Sequence, residues 1–283
     1  MRDQRVCLVS GGDEVRLRSY VNHQIYAQEH GLDYRLEIGL GEGVTNKFFY
    51  KTTILRRVLP RYDWIAWIDD DAFFTDFTRD TIGELVDAAE SEGKFLVVAE
   101  GPEEPNGFWS RINTGVVLLK NDSRGEQLLD LMWNADLSSV RAWWDDERDG
   151  VFTGGDQDQM WWVLQETGLI SDTSIVGHRE LNSRGHYYES SLDDAAVMHF
   201  CGHRDKPLGI ARFAERFHIG HELVPEELLD KYSVTVRSPM NGTERSVRAL
   251  RQEAIGRAKP YLKPLVVRWR EYSRSRAGKG GAR

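Results

Sequence analysis

Residues 64–71 read Trp64-Ile65-Ala66-Trp67-Ile68-Asp69-Asp70-Asp71, an apolar run that ends abruptly in three carboxylates. A short, unalternating apolar run reads as a strand buried on both faces. Adjacent carboxylates repel one another, so a fold that gathers them at a strand end has a cation to hold there. On an extended backbone Asp69 and Asp71 point to the same side and can share one divalent ion, with a diphosphate filling other positions. Asp70 would then point away, toward a ribose or sugar hydroxyl. Asp-rich loops also make turns and cap helices, so the run needs company before it means chemistry.

Working outward, Val6-Cys7-Leu8-Val9 reads as a strand closing in Ser10-Gly11-Gly12, and residues 14–30 carry helical spacing through Val15, Tyr20, Val21, Ile25 and Tyr26. A strand near 34–38 and a helix near 47–59, closed by Pro60, lead into the quoted stretch. After it, Asp80 or Thr81 can cap a helix over 82–91, and Phe95–Ala99 and Gly115–Leu119 are strand-like. Helical segments follow near 124–134, 137–146 and 156–167, then strand-like Ala195–Met198 ending at His199. Strands alternating with helices predict an α/β sheet with helices on both faces. In such sheets ligands bind beyond the carboxyl ends of the strands, where Ser10–Gly12, Asp69–Asp71 and His199–Lys206 fall.

With 283 residues, 40% hydrophobic and 29% charged, the chain can bury a large core. Its net charge of -8 is unevenly spread: residues 245–283 hold 12 Lys/Arg against two acids, leaving about -18 in residues 1–244. An acidic body argues against nucleic-acid binding. We expect a main domain over 1–240, a basic helix over 241–272 and a disordered Gly/Arg/Ser-rich tail over 273–283. The helix reads as solvated, with weak contact to an anionic membrane surface as the alternative. Cys7 and Cys201, the only cysteines, read as buried thiols. No window approaches about 18 uncharged apolar residues and no signal peptide is visible, so a cytoplasmic protein is expected, peripheral to a membrane at most.

Other polar clusters join the carboxylates. His199, at a strand end with Gly202, His203, Arg204 and Lys206 just beyond, makes an imidazole-plus-carboxylate set suited to Mn²⁺, with Mg²⁺ the alternative. Arg204 and Lys206 can neutralise a departing diphosphate. Gly154-Gly155-Asp156-Gln157-Asp158-Gln159 opens a helix; the acids suit its dipole, and an exposed amide there can bind a sugar hydroxyl or a reacting centre. Ile112-Asn113-Thr114-Gly115 is a turn or a ligand loop, and Trp143-Trp144 and Trp161-Trp162 are core residues or a stacking platform for an acceptor.

In order, Lys51-x-x-x-Leu55-Arg56, Trp67-Ile-Asp69-Asp-Asp71-Ala-Phe-Phe-Thr-Asp76, Asn113-Thr-Gly115 with Leu119-Lys-Asn121, Asp156-Gln157 and His199-Phe-x-Gly202 resemble glycosyltransferase family 34, the fungal α-galactosyltransferase and plant xyloglucan xylosyltransferase group. The resemblance implies a GT-A fold, a Rossmann-like mixed sheet binding a UDP-sugar through a metal-bridged diphosphate, with retention at the anomeric carbon and a saccharide or other hydroxyl acceptor. It implies Asp69, Asp71 and His199 at the metal, with Asp71 and His199 as its direct ligands. Lys51, Asp70, Asn113, Thr114, Gly115 and Arg204 fall on the donor, joined by Ser10, Gly11, Gly202 and Lys206 from the strand-end clusters. Asp156 and Gln157 fall beside the anomeric centre. Two departures stand out: Gly155 replaces the first of two acids before the matching Gln, and the N-terminal anchor of eukaryotic members has no counterpart before the first strand, which suggests a bacterial-style soluble enzyme. Glycosyltransferase family 8 shares the DxD, the Asn-x-Gly segment and the late His. Rival classes are a haloacid-dehalogenase-like phosphatase, disfavoured by Phe73 where Thr or Val is expected, and a carbohydrate-binding protein on a decayed transferase fold.

Overall fold

The computed structural model describes residues 4–39, 44, 49–238 and 240–258. Its strands and helices run β1 (Val6–Gly12), α1 (Ser19–Glu29), β2 (Asp33–Ile38), α2 (Tyr50–Val58), β3 (Trp64–Ile68), β4 (Ala72–Phe74), α3 (Thr81–Ser91), β5 (Leu96–Ala99), β6 (Asn113–Lys120), α4 (Ser123–Asn134), α5 (Leu137–Trp143), α6 (Asp156–Thr167), β7 (Thr173–Val176), α7 (His178–Leu181), β8 (Val197–His199), α8 (Lys206–Arg216) and α9 (Glu226–Lys231). A final helix, α10, covers 242–258; the rest of the expected basic helix and the tail lie outside the described residues.

The main sheet has the order β2-β1-β3-β6-β5-β7. β6 runs antiparallel to both neighbours, while the β1–β2, β1–β3 and β5–β7 pairs are parallel. Period-2 geometry sorts the quoted stretch between two cores: Ile65 and Trp67 face one, and Trp64, Ala66 and Ile68 face the other. Val117 and Leu119 of β6 join the first core, and Val116 and Leu118 the second, so both faces are dry and covered. Truncating a fully buried residue such as Leu118 to alanine should cost about 2–5 kcal/mol.

A second, two-stranded sheet pairs β4 with β8 in antiparallel register, Ala72 opposite His199. Beneath it lies a third apolar cluster containing Phe73, Met198, Phe200, Ile210 and Phe213. Here α8 docks, starting at an Asp205 cap that accepts from the Leu208 amide, with proline in its first turn. α10 crosses it through Arg248–Asp205 (3.1 Å) and Arg245–Glu215 ion pairs. Among the described residues no helix is long and apolar enough to cross a membrane.

Three expectations need correction. Ser10-Gly11-Gly12 is not a loop, because β1 pairs with β2 through Gly12. A Cβ on Gly11 would lie 2.2 Å from the Glu37 carbonyl oxygen, so only glycine lets the strand continue there. The first helix begins at Ser19, not near residue 14. Asp69–Asp71 lies not on extended backbone but on a tight turn, closed by the Ala72 amide donating to the Asp69 carbonyl (3.1 Å), which folds the chain from β3 into β4.

Candidate active site

The turn lets the carboxylates of Asp69 and Asp71 converge while the β4–β8 pairing brings His199 to the same point. Ligand atoms of Asp69, Asp71 and His199 all lie within 4.8 Å of one another. His199 Nε2 is 3.1 Å from Asp71 Oδ1 and 4.0 Å from Asp69 Oδ2. Its Nδ1 lies 2.7 Å from Asn182 Oδ1, and that oxygen also accepts from Arg184 Nη1 (2.7 Å), which fixes it as an acceptor. Nδ1 therefore donates to Asn182, and Nε2 is left facing the Asp71 carboxylate. Nε2 and the carboxylate oxygens of Asp71 and Asp69 are all atoms that can ligate a divalent cation. With two carboxylates beside the imidazole, the donor set fits Mn²⁺ or Mg²⁺. Gly115 makes room for the ring: a Cβ there would stand 2.3 Å from His199 Cε1.

Across from these ligands, Lys51 on α2 reaches Asp69 Oδ1 (3.0 Å), Asp156 Oδ2 (2.8 Å) and the Thr114 carbonyl (2.7 Å). Thr114 Oγ1 donates to Asp156 Oδ2 (2.9 Å), and Trp67 Nε1 donates to Asp69 Oδ1 (2.6 Å). Burial works against the Lys51 charge, but Asp156 and Asp69 outweigh it and hold the ammonium protonated well above its ordinary range. Removing Lys51 would leave buried carboxylates uncompensated, a change that typically costs about 3–5 kcal/mol.

The acidic run splits in its protonation. For Asp71, burial favours the neutral form, yet His199 and then Lys206, whose Nζ lies 2.6 Å from Oδ2, hold it below the ordinary carboxylate range. Asp69 moves upward, by burial and by the Asp71 charge against the pull of Lys51. Asp70 rises to about 6, through burial and then the two flanking carboxylates. Such splitting of neighbouring acids is expected where a bound cation is to supply the missing positive charge.

These groups line a cavity of about 370 Å³ that also takes in Asp13, Arg16, Tyr50, Asn113, Gly155, Gln157 and Cys201. Asp70 lines it too, so it does not point away as expected. Ser10 and Gly11 are not brought there: Ser10 Oγ pairs with the Tyr34 hydroxyl (2.7 Å), and the Gly11 carbonyl accepts from the Tyr50 hydroxyl (2.8 Å).

A larger cavity of about 930 Å³ adjoins it and shares Asn113, Thr153, Gln157 and Cys201. Gly202 and Arg204 line this second space rather than the carboxylate one. Gln157, at the junction, makes no side-chain hydrogen bond among the described residues, whereas Gln159 is buried and donates to the Ala135 carbonyl (3.2 Å). Asp158, expected only to suit the helix dipole, accepts from the amides of Thr153 and Gly154 (2.6 Å each) and so holds the glycine turn that presents Asp156 and Gln157. Trp144 and Trp161 are core residues and Trp143 and Trp162 pack against them, which removes the stacking-platform expectation. The aromatic lining belongs instead to Phe108, Phe200 and Phe213.

No protein-family model matches the chain. It is similar to Glycosyltransferase 6 of Arabidopsis thaliana, 27% identical over 146 residues, covering 45% of this chain and 32% of that protein. Galactomannan galactosyltransferase 1 of Cyamopsis tetragonoloba is 27% identical over 125 residues (42% and 28% covered), and Xyloglucan 6-xylosyltransferase 1 of Arabidopsis thaliana is 30% identical over 142 residues (44% and 30%). The matches thus span under a third of each relative's length. Among solved structures, the chain is similar to a glycosyltransferase involved in glycosylation of the major capsid of PBCV-1, with a TM-score of 0.54 and 19% identity, covering 75% of this chain and 98% of that one. The fold is that of a glycosyltransferase, GT-A-like, with a mixed sheet between helical layers.

Proposed function

We propose that this chain is a retaining, metal-dependent glycosyltransferase that moves a hexose or pentose, galactose, xylose or glucose, from UDP to a hydroxyl of a saccharide or other acceptor, and that it acts in the cytoplasm. The observation that carries this reading is the meeting of Asp69, Asp71 and His199, from two strand ends, beside an unpartnered Gln157 that opens onto a second cavity. Relatives named as galactosyl- and xylosyltransferases support it.

Mn²⁺ or Mg²⁺, when bound, supplies Lewis-acid stabilisation of the diphosphate leaving group. Asp71 and His199, fixed by Lys206 and Asn182, would hold the ion together with Asp69. Lys206 places a second positive charge at the same edge of the cavity, where charge develops as UDP departs. Asn113, Thr114 and Gly115 wall the space for the sugar. The Gln157 carbonyl is too weak a nucleophile for an easy covalent intermediate and suits stabilisation of an oxocarbenium-like centre. Asp156 has Oδ2 committed to Lys51 and Thr114, which favours orienting the site over attacking the sugar. The acceptor hydroxyl enters from the larger cavity on the face UDP leaves, its oxygen bonds the anomeric carbon as the bond to the diphosphate breaks, and its proton passes to the departing diphosphate oxygen.

A screen of UDP-galactose, UDP-xylose and UDP-glucose for Mn²⁺-dependent hydrolysis needs no acceptor. One donor should release UDP with the wild type and not with Asp71→Ala, folded by circular dichroism. Equal rates from the two proteins, or phosphate release from sugar phosphates, would overturn the reading.

A further inference from the structure

The larger cavity has a charge opposite to its neighbour's. Four guanidinium groups line it, Arg184, Arg204, Arg212 and Arg216, against a single carboxylate, Glu104. Glu104 is already spent on Arg184, 2.6 Å from its Nε. Among the described residues Arg212 hydrogen-bonds an amide, Gln252 Oε1 at 3.3 Å, with Glu215 near enough to feel its charge, and Arg216 donates to the Glu189 carbonyl at 2.9 Å and lies over the Phe217 ring. Arg204 has no hydrogen bond or ion pair among the described residues. That leaves Arg204, Arg212 and Arg216 without a direct carboxylate contact among the described residues, in a protein whose first 244 residues carry about -18. Repulsion among cations in one cleft is a cost with no return unless an anion is to be held there. Phe108, half-buried at the cavity wall, meanwhile supplies a face for apolar ring surfaces, backed by the buried Phe200 and Phe213.

We propose that the acceptor is an anionic saccharide, one bearing carboxylate or phosphate groups, gripped by Arg212 and Arg216 while its rings lie against the aromatic lining. The inference rests on the transferase reading above. Uronic acids and phosphorylated sugars present the same planar or tetrahedral oxyanions to a guanidinium fork, so both meet the chemistry. The site's position fits: Asn113 and Gln157 lie on the boundary with the carboxylate cavity, which places a bound acceptor's hydroxyl next to the donor sugar.

Calorimetry on the full chain without donor compares tetragalacturonate with cellotetraose, and pentamannose phosphate with mannopentaose. The anionic member of at least one pair should bind about tenfold tighter at low salt, with the advantage shrinking in 0.5 M NaCl. That advantage should fall to about twofold in an Arg212→Gln/Arg216→Gln double variant and survive largely in Arg212→Lys, which keeps the charge. Which pair responds identifies the anion as carboxylate or phosphate. Equal binding within both pairs, no binding of either anion, or an advantage that persists in the double variant would overturn the proposal. Mn²⁺-dependent UDP release from a UDP-sugar, measured in parallel without acceptor, reports on the transferase reading alone: its absence sinks that reading whatever the oligosaccharides do.

Discussion

The carboxylate cavity and its larger neighbour meet at Asn113, Thr153, Gln157 and Cys201 but are built on opposite principles. The smaller gathers Asp13, Asp69, Asp70, Asp71 and Asp156 around Lys51, Lys206 and Arg16, and it is ordered by short, charge-assisted contacts between buried groups. The larger is rimmed by exposed arginines whose partners are mostly neutral oxygens, over an aromatic base. A site that holds a cation and a leaving group needs fixed, preorganised charges. A site that admits varied chains needs reach and a low penalty for rearrangement. The contrast teaches where substitution should kill the chemistry and where it should merely retune a partner.

The comparison breaks first at Asp71. Asp71→Asn should cut Mn²⁺-dependent UDP release by about 10³-fold, as expected when several kcal/mol of transition-state stabilisation are lost, while tetragalacturonate affinity changes less than twofold. Parallel losses in both assays would mean the cavities are one site. The β4–β8 pair that carries His199 offers the next test. His23 Nε2 contacts the Ala72 carbonyl (2.8 Å) and its Nδ1 has no partner, so protonating the buried ring would strand a donor; burial lowers it from an ordinary 6.5 to about 4. The folded-state value lies below the unfolded one, so the unfolded chain binds the proton first, and stability falls as pH drops from about 6.5 to 4. Denaturant melts at pH 7 and pH 4 should show His23→Gln losing roughly 3 kcal/mol less than wild type across that window. An identical loss would place the acid-sensitive group elsewhere.

Gly115→Ala sharpens the role of geometry over charge. Its methyl meets the His199 ring, so Mn²⁺ affinity by titration should fall about 10- to 100-fold with the carboxylates untouched. The smallest effect belongs to the larger cavity: Phe108→Ala should raise the acceptor KM by about two- to tenfold and leave the UDP-sugar KM unchanged.

Legibility divides along the same line. The smaller cavity is written in strings that carry local signals: an apolar run into Asp69–Asp71, a glycine turn before Asp156-Gln157, a strand end at His199. The larger draws one wall from α8 and the rest from segments without a period. Asn182 and Arg184, which orient His199 and brace Glu104, sit in an irregular stretch between α7 and β8, where only tertiary contacts give them meaning. β4 is three residues long and too short to alternate visibly. α8 is legible in the sequence, since Asp205 followed by Lys206-Pro207 and then Leu208, Ile210 and Phe213 is a capped amphipathic start. Ser10–Gly12 failed for the opposite reason: glycines that usually end a strand here let Glu37 approach one. The paired tryptophans went to the core because their indole groups found partners there, Trp144 on the Gly150 carbonyl (2.7 Å) and Trp161 on Asp149 (3.1 Å).

The central claim, that Asp69, Asp71 and His199 form a cation site that holds a nucleotide diphosphate, is tested most directly by calorimetric titration of UDP into wild type and Asp71→Asn, each with Mn²⁺ and with EDTA. UDP should bind the wild type only with Mn²⁺ and should bind Asp71→Asn in neither condition. Equal UDP affinity in all four titrations would contradict it.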